Sequence, residues 1–209
     1  MVGTLIVDEP KCLRDQTQCD ARRALLGSPT LRELTAFVQR LRSDIGGDVP
    51  DFDPLDGGTT AECLFLLEAP GPRAVQTGFV SRNNPDETAK NWHDLNRLAG
   101  IDRRRTLTWN IVPWYIGENS RIRPATQDDI NRGLPYLQEL LGLLPNLHVV
   151  VLVGRKAGCA QSRIREWAGH VEIIELPHPS PTFVNRAPPH RDLILQKLLT
   201  VRERLDVTR

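Results

Sequence analysis

The chain has 209 residues, 40% of them hydrophobic and 25% charged, with a formal net charge of +1. That length can bury one sizeable core, the composition is that of a globular domain, and no apolar run approaches the ~20 residues needed to cross a bilayer. The near-neutral balance excludes a strongly basic footprint spread over the whole domain, so a nucleic-acid partner would have to be met by local charge.

At the start, MVGTLIVDEP lacks the basic flank, long apolar core and small-residue cleavage site of a signal peptide, so a cytoplasmic protein with no membrane partner is expected. A single domain, 1–209, is expected, with residues 1–29 as an irregular N-terminal arm. Cys12 and Cys19 are too widely spaced for the usual metal knuckle, while Cys63 falls in an apolar strand and Cys159 in a helix pattern, and both read as small buried hydrophobes. No metal is expected. After Ser-Pro-Thr, the residues Leu31, Leu34, Phe37, Val38 and Leu41 recur at helical spacing and predict a helix over 30–45. GGDVPDFDPLDGG then breaks any pattern and reads as a loop.

Four strand-length apolar runs follow: ECLFLLEAPGP, TLTWNIV, HVVVLVG and VEIIEL. Between and after them, helical patterns cover about 86–99, 126–144, 156–168 and 189–205. Nearly continuous apolar strands alternating with helices predict an α/β fold, a three-layer α/β/α sandwich with a central four-stranded parallel sheet. Short basic groups, such as Arg103-Arg104-Arg105, fall near element ends and read singly as solvated surface charge.

Ligands of such sheets collect beyond the carboxyl ends of the strands. Glu68, Pro70 and Gly71 follow the first run, Asn110 ends the second, Gly154 follows the third, and His178 and Ser180 follow the fourth. Taken singly, Glu68 could cap a helix, Asn110 could serve a turn, His178 could be structural and Phe79 could be core. Their convergence on one rim instead has the composition of a polar-rimmed ligand pocket. No Gly-rich phosphate loop follows any strand, which argues against a nucleotide-binding domain.

At these residues the chain resembles the uracil-DNA glycosylase superfamily, from roughly Glu62 to Arg191. LEAPGP is similar to the first motif in the Glu-Ala-Pro-Gly form of the iron–sulfur (family 4) branch, and HPSPTFVNR to the second, a minor-groove intercalation loop. AVQTGFVS resembles the loop carrying an aromatic that stacks on the flipped base. TWNIVPW resembles the strand whose Asn reads that base, and the run from Asn119 to Gly154 follows the layout of the same branch. The resemblance implies catalytic roles for Glu68, which would orient or deprotonate water, and for His178, which would donate a hydrogen bond to the base O2. It implies a base pocket of Ala69, Pro70, Gly71, Phe79 and Asn110, and DNA contacts from Ser180, Pro181, Thr182, Phe183 and Arg186. Relatives carry Leu at the Thr182 position; Phe183 is expected to be the wedge, because a ring can stack on an exposed neighbouring base.

The chain departs from that branch at the cluster cysteines. Trp114 and Gly133 stand at two of their positions and the closely spaced N-terminal pair is missing, so no iron–sulfur cluster and no other cofactor is expected. The implied activity is that of a monomeric, monofunctional DNA glycosylase. It would hydrolyse the N-glycosidic bond of uracil in double- or single-stranded DNA and leave an abasic site for base excision repair. One alternative keeps the fold and changes the base to hypoxanthine, xanthine or an oxidised pyrimidine. Another is a protein that binds uracil-DNA without cutting it, or that stays attached to the sugar. The presence of both Glu68 and His178 weighs against a lapsed enzyme, and YIGENSRIRP lacks the loop histidine of the covalent relatives.

Overall fold

The structure, a computed structural model, describes residues 5–118 and 121–207. The first four residues of the arm, together with Asn119 and Ser120 of the loop after the reading strand, lie outside them. The helices are α1 (Gln16–Arg23), α2 (Arg32–Ile45), α3 (Pro72–Thr77), α4 (Glu87–Leu98), α5 (Gln127–Gly142), α6 (Arg155–Gly158), α7 (Gln161–Trp167), α8 (Pro181–Val184) and α9 (Pro188–Val207). The principal strands are β1 (Cys63–Leu67), β2 (Thr106–Asn110), β3 (Val149–Val153) and β4 (Glu172–Leu176). They form one parallel sheet in the order β2-β1-β3-β4.

Side chains alternate across each strand, and both faces are covered. Leu64, Leu66, Leu107, Trp109, Val150 and Leu152 pack with residues of α2, α5 and α7. Cys63, Phe65, Val149, Val151, Ile174 and Leu176 pack on the other side with Trp92 and Leu95 of α4 and with Ile194, Leu198 and Val201 of α9. Two covered faces leave no polar stripe on a central strand, which is why β1 and β3 read as unbroken apolar runs. The three-layer architecture is therefore the one the sequence predicts. No helix of the described residues is long and apolar enough to cross a membrane.

Three expectations need correction. The helix expected over 156–168 is two short helices, α6 and α7, separated by a tight turn in which Ala160 N–H donates to the Ala157 carbonyl. The arm is not irregular throughout: it contains a short 3-10 turn at Cys12–Arg14 and then α1, whose cap Asp15 accepts from Thr17 N–H at 2.9 Å. Arg103 and Arg105 are buried, not solvated. Arg103 is surrounded by the carboxylates of Asp8, Asp53 and Asp56, and Arg105 by those of Glu62 and Asp206. Arg22 of α1, fully buried, also pairs with Asp53. These partners lie tens of residues apart in sequence, so local charge patterning could not reveal them. Cysteines 12, 19, 63 and 159 are free thiols; Cys63 is buried as expected, but Cys159, just past the end of α6, is exposed.

Candidate active site

The tips of β1 and β2 stay in register beyond the last ladder pair: Ile111 N–H donates to the Leu67 carbonyl at 2.8 Å and Val112 N–H to the Glu68 carbonyl at 2.9 Å. The Glu-Ala-Pro-Gly loop is thereby fixed to the strand that carries Asn110. Gly154 N–H donates to the Leu176 carbonyl at 2.7 Å, joining β3 to β4 just before the histidine loop. Gly154 has φ of 85°, which favours glycine, and a Cβ there would stand 3.3 Å from the His178 Cβ. The missing side chain gives the imidazole its place. A cavity of about 500 Å³ opens over these tips, lined by Glu68, Ala69, Pro70, Gly71, Asn110 and His178 among others.

Glu68 accepts a hydrogen bond from Ala125 N–H through Oε1 at 2.7 Å, which fixes the carboxylate at the cavity wall. Asn110 is only 3% exposed, and its Nδ2 has no hydrogen-bond partner among the described residues. A buried amide donor left open costs free energy unless a ligand or water meets it. Burial lowers the His178 pKa below the ordinary histidine value, with the carboxylates of Glu68 and Asp86 offsetting part of that effect. The imidazole is therefore neutral near pH 7 and presents one N–H donor. Asn91 of α4 donates to the Pro179 carbonyl at 3.1 Å and ties the histidine loop to the sheet's flanking layer. Residues bearing a carboxylate, an unpaired carboxamide donor and a neutral imidazole thus line one chamber. Such a set can bind a polar heterocycle, order a water and stabilise a departing anion.

The family profile of the Uracil DNA glycosylase superfamily matches residues 55–199, well over half of the chain. The chain belongs to the uracil DNA glycosylase superfamily. Among solved structures, the fold resembles an NMR structure from Methanosarcina acetivorans, described as a candidate uracil DNA glycosylase, at 15% identity and a TM-score of 0.48, covering 71% of this chain and 94% of that one. No curated protein matches the chain.

Within this superfamily member, two expected contacts are placed differently. Phe79 does not line the cavity: it is fully buried against Leu13 and Cys19, with the Arg23 guanidinium 6.0 Å from its ring centroid. Gly78, at φ of 86°, turns the chain, and Phe79–Val80 then pair as a short parallel ladder with Asp51–Phe52. Strand alternation sends Phe79 towards the arm and Val80 into the cavity wall. Phe183 is not a free-standing wedge either. Its ring stacks on His190 at 4.3 Å and 8°, and it packs against the α9 side of the core, whereas Thr182 beside it is exposed. Ser180 caps α8, Pro181 opens it, and Arg186 is exposed just beyond its end.

The residues do not fit the branch's iron–sulfur cluster. A Cβ at Gly133 would come within 2.0 Å of the Ile111 carbonyl oxygen, so no cysteine can stand there, and Trp114 is a buried indole with the Arg132 guanidinium 5.2 Å from its ring. Sequence reading missed other cavity residues: Ser81, Asn84, Asp86, Trp92 and Thr108. Asp86 is legible only as the cap of α4, accepting from Ala89 N–H at 2.9 Å. Thr108 carries a usable signal, since it precedes Asn110 by two residues and so shares its face of β2.

Proposed function

We propose that this protein is a monofunctional DNA glycosylase that extrudes uracil from DNA, single- or double-stranded, hydrolyses its N-glycosidic bond and leaves an abasic site. The observation that carries the reading is the meeting of Glu68, Asn110 and His178 around one cavity at the strand tips. A base stacked in a duplex is out of reach, so the nucleotide must rotate outward at a cost of a few kcal/mol. Thr182, exposed at the tip of α8, would enter the vacated space, backed by the Phe183–His190 stack. Ser180 and Arg186 would hold phosphates on either side. In the cavity, the flipped ring would lie against apolar walls that include Pro70 and Val80. The unpaired Asn110 Nδ2 would donate to O4 while the amide oxygen accepts from the imide N–H, a pairing whose polarity cytosine cannot match.

The C1′–N1 bond then breaks, with its electron pair leaving on the base. The neutral His178 N–H stabilises the negative charge arriving at O2, and the Glu68 carboxylate faces the positive charge growing on the sugar. Water adds through oxygen to C1′ and passes a proton to Glu68; the base anion takes up a proton and departs neutral.

The test is single-turnover excision from uracil-containing single- and double-stranded oligonucleotides, with alkali cleavage revealing abasic sites. Glu68→Gln and His178→Asn should each slow excision by at least tenfold while melting cooperatively. Wild-type rates in both variants would exclude the mechanism.

A further inference from the structure

The turn after β3 serves more than His178. Two residues beyond Gly154, the half-buried Lys156 of α6 donates through Nζ to the Ala125 carbonyl, a partner 31 positions away in the chain. Ala125 is 1% exposed, and its N–H is the group that holds Glu68 Oε1 at 2.7 Å. Both main-chain polar groups of this one buried alanine are therefore met by charged side chains, Glu68 from the loop after β1 and Lys156 from the turn after β3. Its flanks are pinned as well. Thr126 opens α5 in a capping box with Asp129, and Asp129 accepts two bonds from Arg123, at 2.6 and 2.9 Å. Arg123 also donates to the Pro124 carbonyl at 3.2 Å, in the same peptide unit as the Ala125 N–H.

We propose that Lys156 is a positioning residue for catalysis: by holding the Ala125 carbonyl it keeps the Ala125 N–H on Glu68, so that the β3–α6 turn sets both the imidazole and the carboxylate. This rests on the glycosylase reading above, in which Glu68 faces the sugar and receives a proton from water. A reacting group must be held within about 0.5 Å of its productive position, and hydrogen bonds from supporting residues do this. Ala125 arrives at the end of the crossover from β2 to α5, 57 residues from Glu68 in sequence, so the alignment of its N–H depends on what anchors that segment. An ammonium can only donate, and a charge-assisted bond to a carbonyl is stronger than a neutral one. Without it the buried carbonyl loses this partner, and the segment shifts to find another, taking the N–H with it. Lys156 does not line the chamber, whereas Arg123 and Pro124 do, so its effect on the reaction passes through Ala125.

The experiment measures single-turnover uracil excision over a range of enzyme concentrations, reading the plateau rate and the half-saturating concentration separately. The proteins are the wild-type chain, Lys156→Met, Lys156→Arg, Glu68→Gln and the Glu68→Gln/Lys156→Met double variant. Lys156→Met keeps the apolar stem and should melt cooperatively, with a plateau lowered by about fivefold or more and a half-saturating concentration near that of the wild type. In the Glu68→Gln background the same substitution should change the plateau by less than about twofold, because the group it serves is already disabled. Lys156→Arg retains a cationic donor and should stay within about threefold of the wild-type plateau. An equal fall in both backgrounds, an unchanged plateau in Lys156→Met, or an equal loss in Lys156→Arg would overturn the inference and leave the glycosylase reading standing. So would a loss confined to the half-saturating concentration, which is the mark of a phosphate contact. No excision by the wild-type chain, or a wild-type plateau in Glu68→Gln, would overturn that reading and the inference with it.

Discussion

Single residues set the chemistry of the chamber. Gly154 is the position where backbone and catalysis meet most directly, because its positive φ and its missing Cβ both serve the imidazole of His178. Gly154→Ala should cost about 1–3 kcal/mol from the backbone alone, because φ of 85° with ψ of 165° is a region open essentially to glycine only. It should also slow excision by roughly tenfold, a cost of about 1.4 kcal/mol in the barrier, by displacing the ring. Urea unfolding and single-turnover rates measured on the same protein separate the two effects. His178 offers a second test, through pH. Its folded pKa lies below the ordinary 6.5 because burial disfavours the charged ring. As pH falls below that ordinary value, the unfolded chain takes up a proton that the folded chain resists. Stability therefore declines on acidification until the folded pKa is reached. His178→Asn removes this contribution, so its melting temperature should drop less than that of the wild type between about pH 7 and pH 5. His93 shifts the opposite way, raised by its hydrogen bond to Asp8, but it is common to both proteins and cancels in the comparison. Parallel curves would show that the imidazole is not desolvated.

At the scale of elements, the N-terminal arm is the part whose role changed most between sequence and structure. Burial alone would raise the Asp53 pKa, but the guanidiniums of Arg103 and Arg22 outweigh it and hold the carboxyl below its usual range. Asp53 also accepts from Ser81, a residue of the cavity wall, so the ion-pair cluster connects arm, sheet and site. Removing one partner of a buried pair typically costs 3–5 kcal/mol because the other charge is left stranded. Asp53→Asn should therefore lower unfolding stability in urea by about 3 kcal/mol, a loss well above that of any exposed pair such as Arg163 with Glu166. A change below about 1 kcal/mol would mean that the arm is docked by its apolar contacts, Leu13 and Cys19 against Phe79, and that the charges are incidental. Periodicity could not have foreseen the cluster. Helix and strand patterns report neighbours within an element, whereas Arg22, Asp53 and Arg103 meet only when three separate segments pack together.

For the whole molecule, a net charge of +1 means that DNA would be held by a few placed cations and not by a broad field. Each phosphate neutralised contributes about −0.9 to the slope of log affinity against log salt, so that slope should be shallow, and Arg186→Ala should reduce its magnitude by about one. Fluorescence anisotropy across a salt series measures this directly; an unchanged slope would place Arg186 away from the phosphates. The amino-acid order alone determined the layered architecture, because strands covered on both faces must be apolar throughout and amphipathic helices must flank them. It also determined that Glu68, Asn110 and His178 fall at strand ends, since consecutive parallel strands all finish on the same edge. Only the tertiary structure decided which rings reach the site. A one-residue alternation in a two-residue ladder turns Phe79 away and Val80 inward, a π-stack holds Phe183 against His190, and the packing of α4 over the sheet brings Trp92 into the same cavity wall as Thr108 of β2. Those outcomes depend on contacts between segments distant in the chain, and no local pattern encodes them.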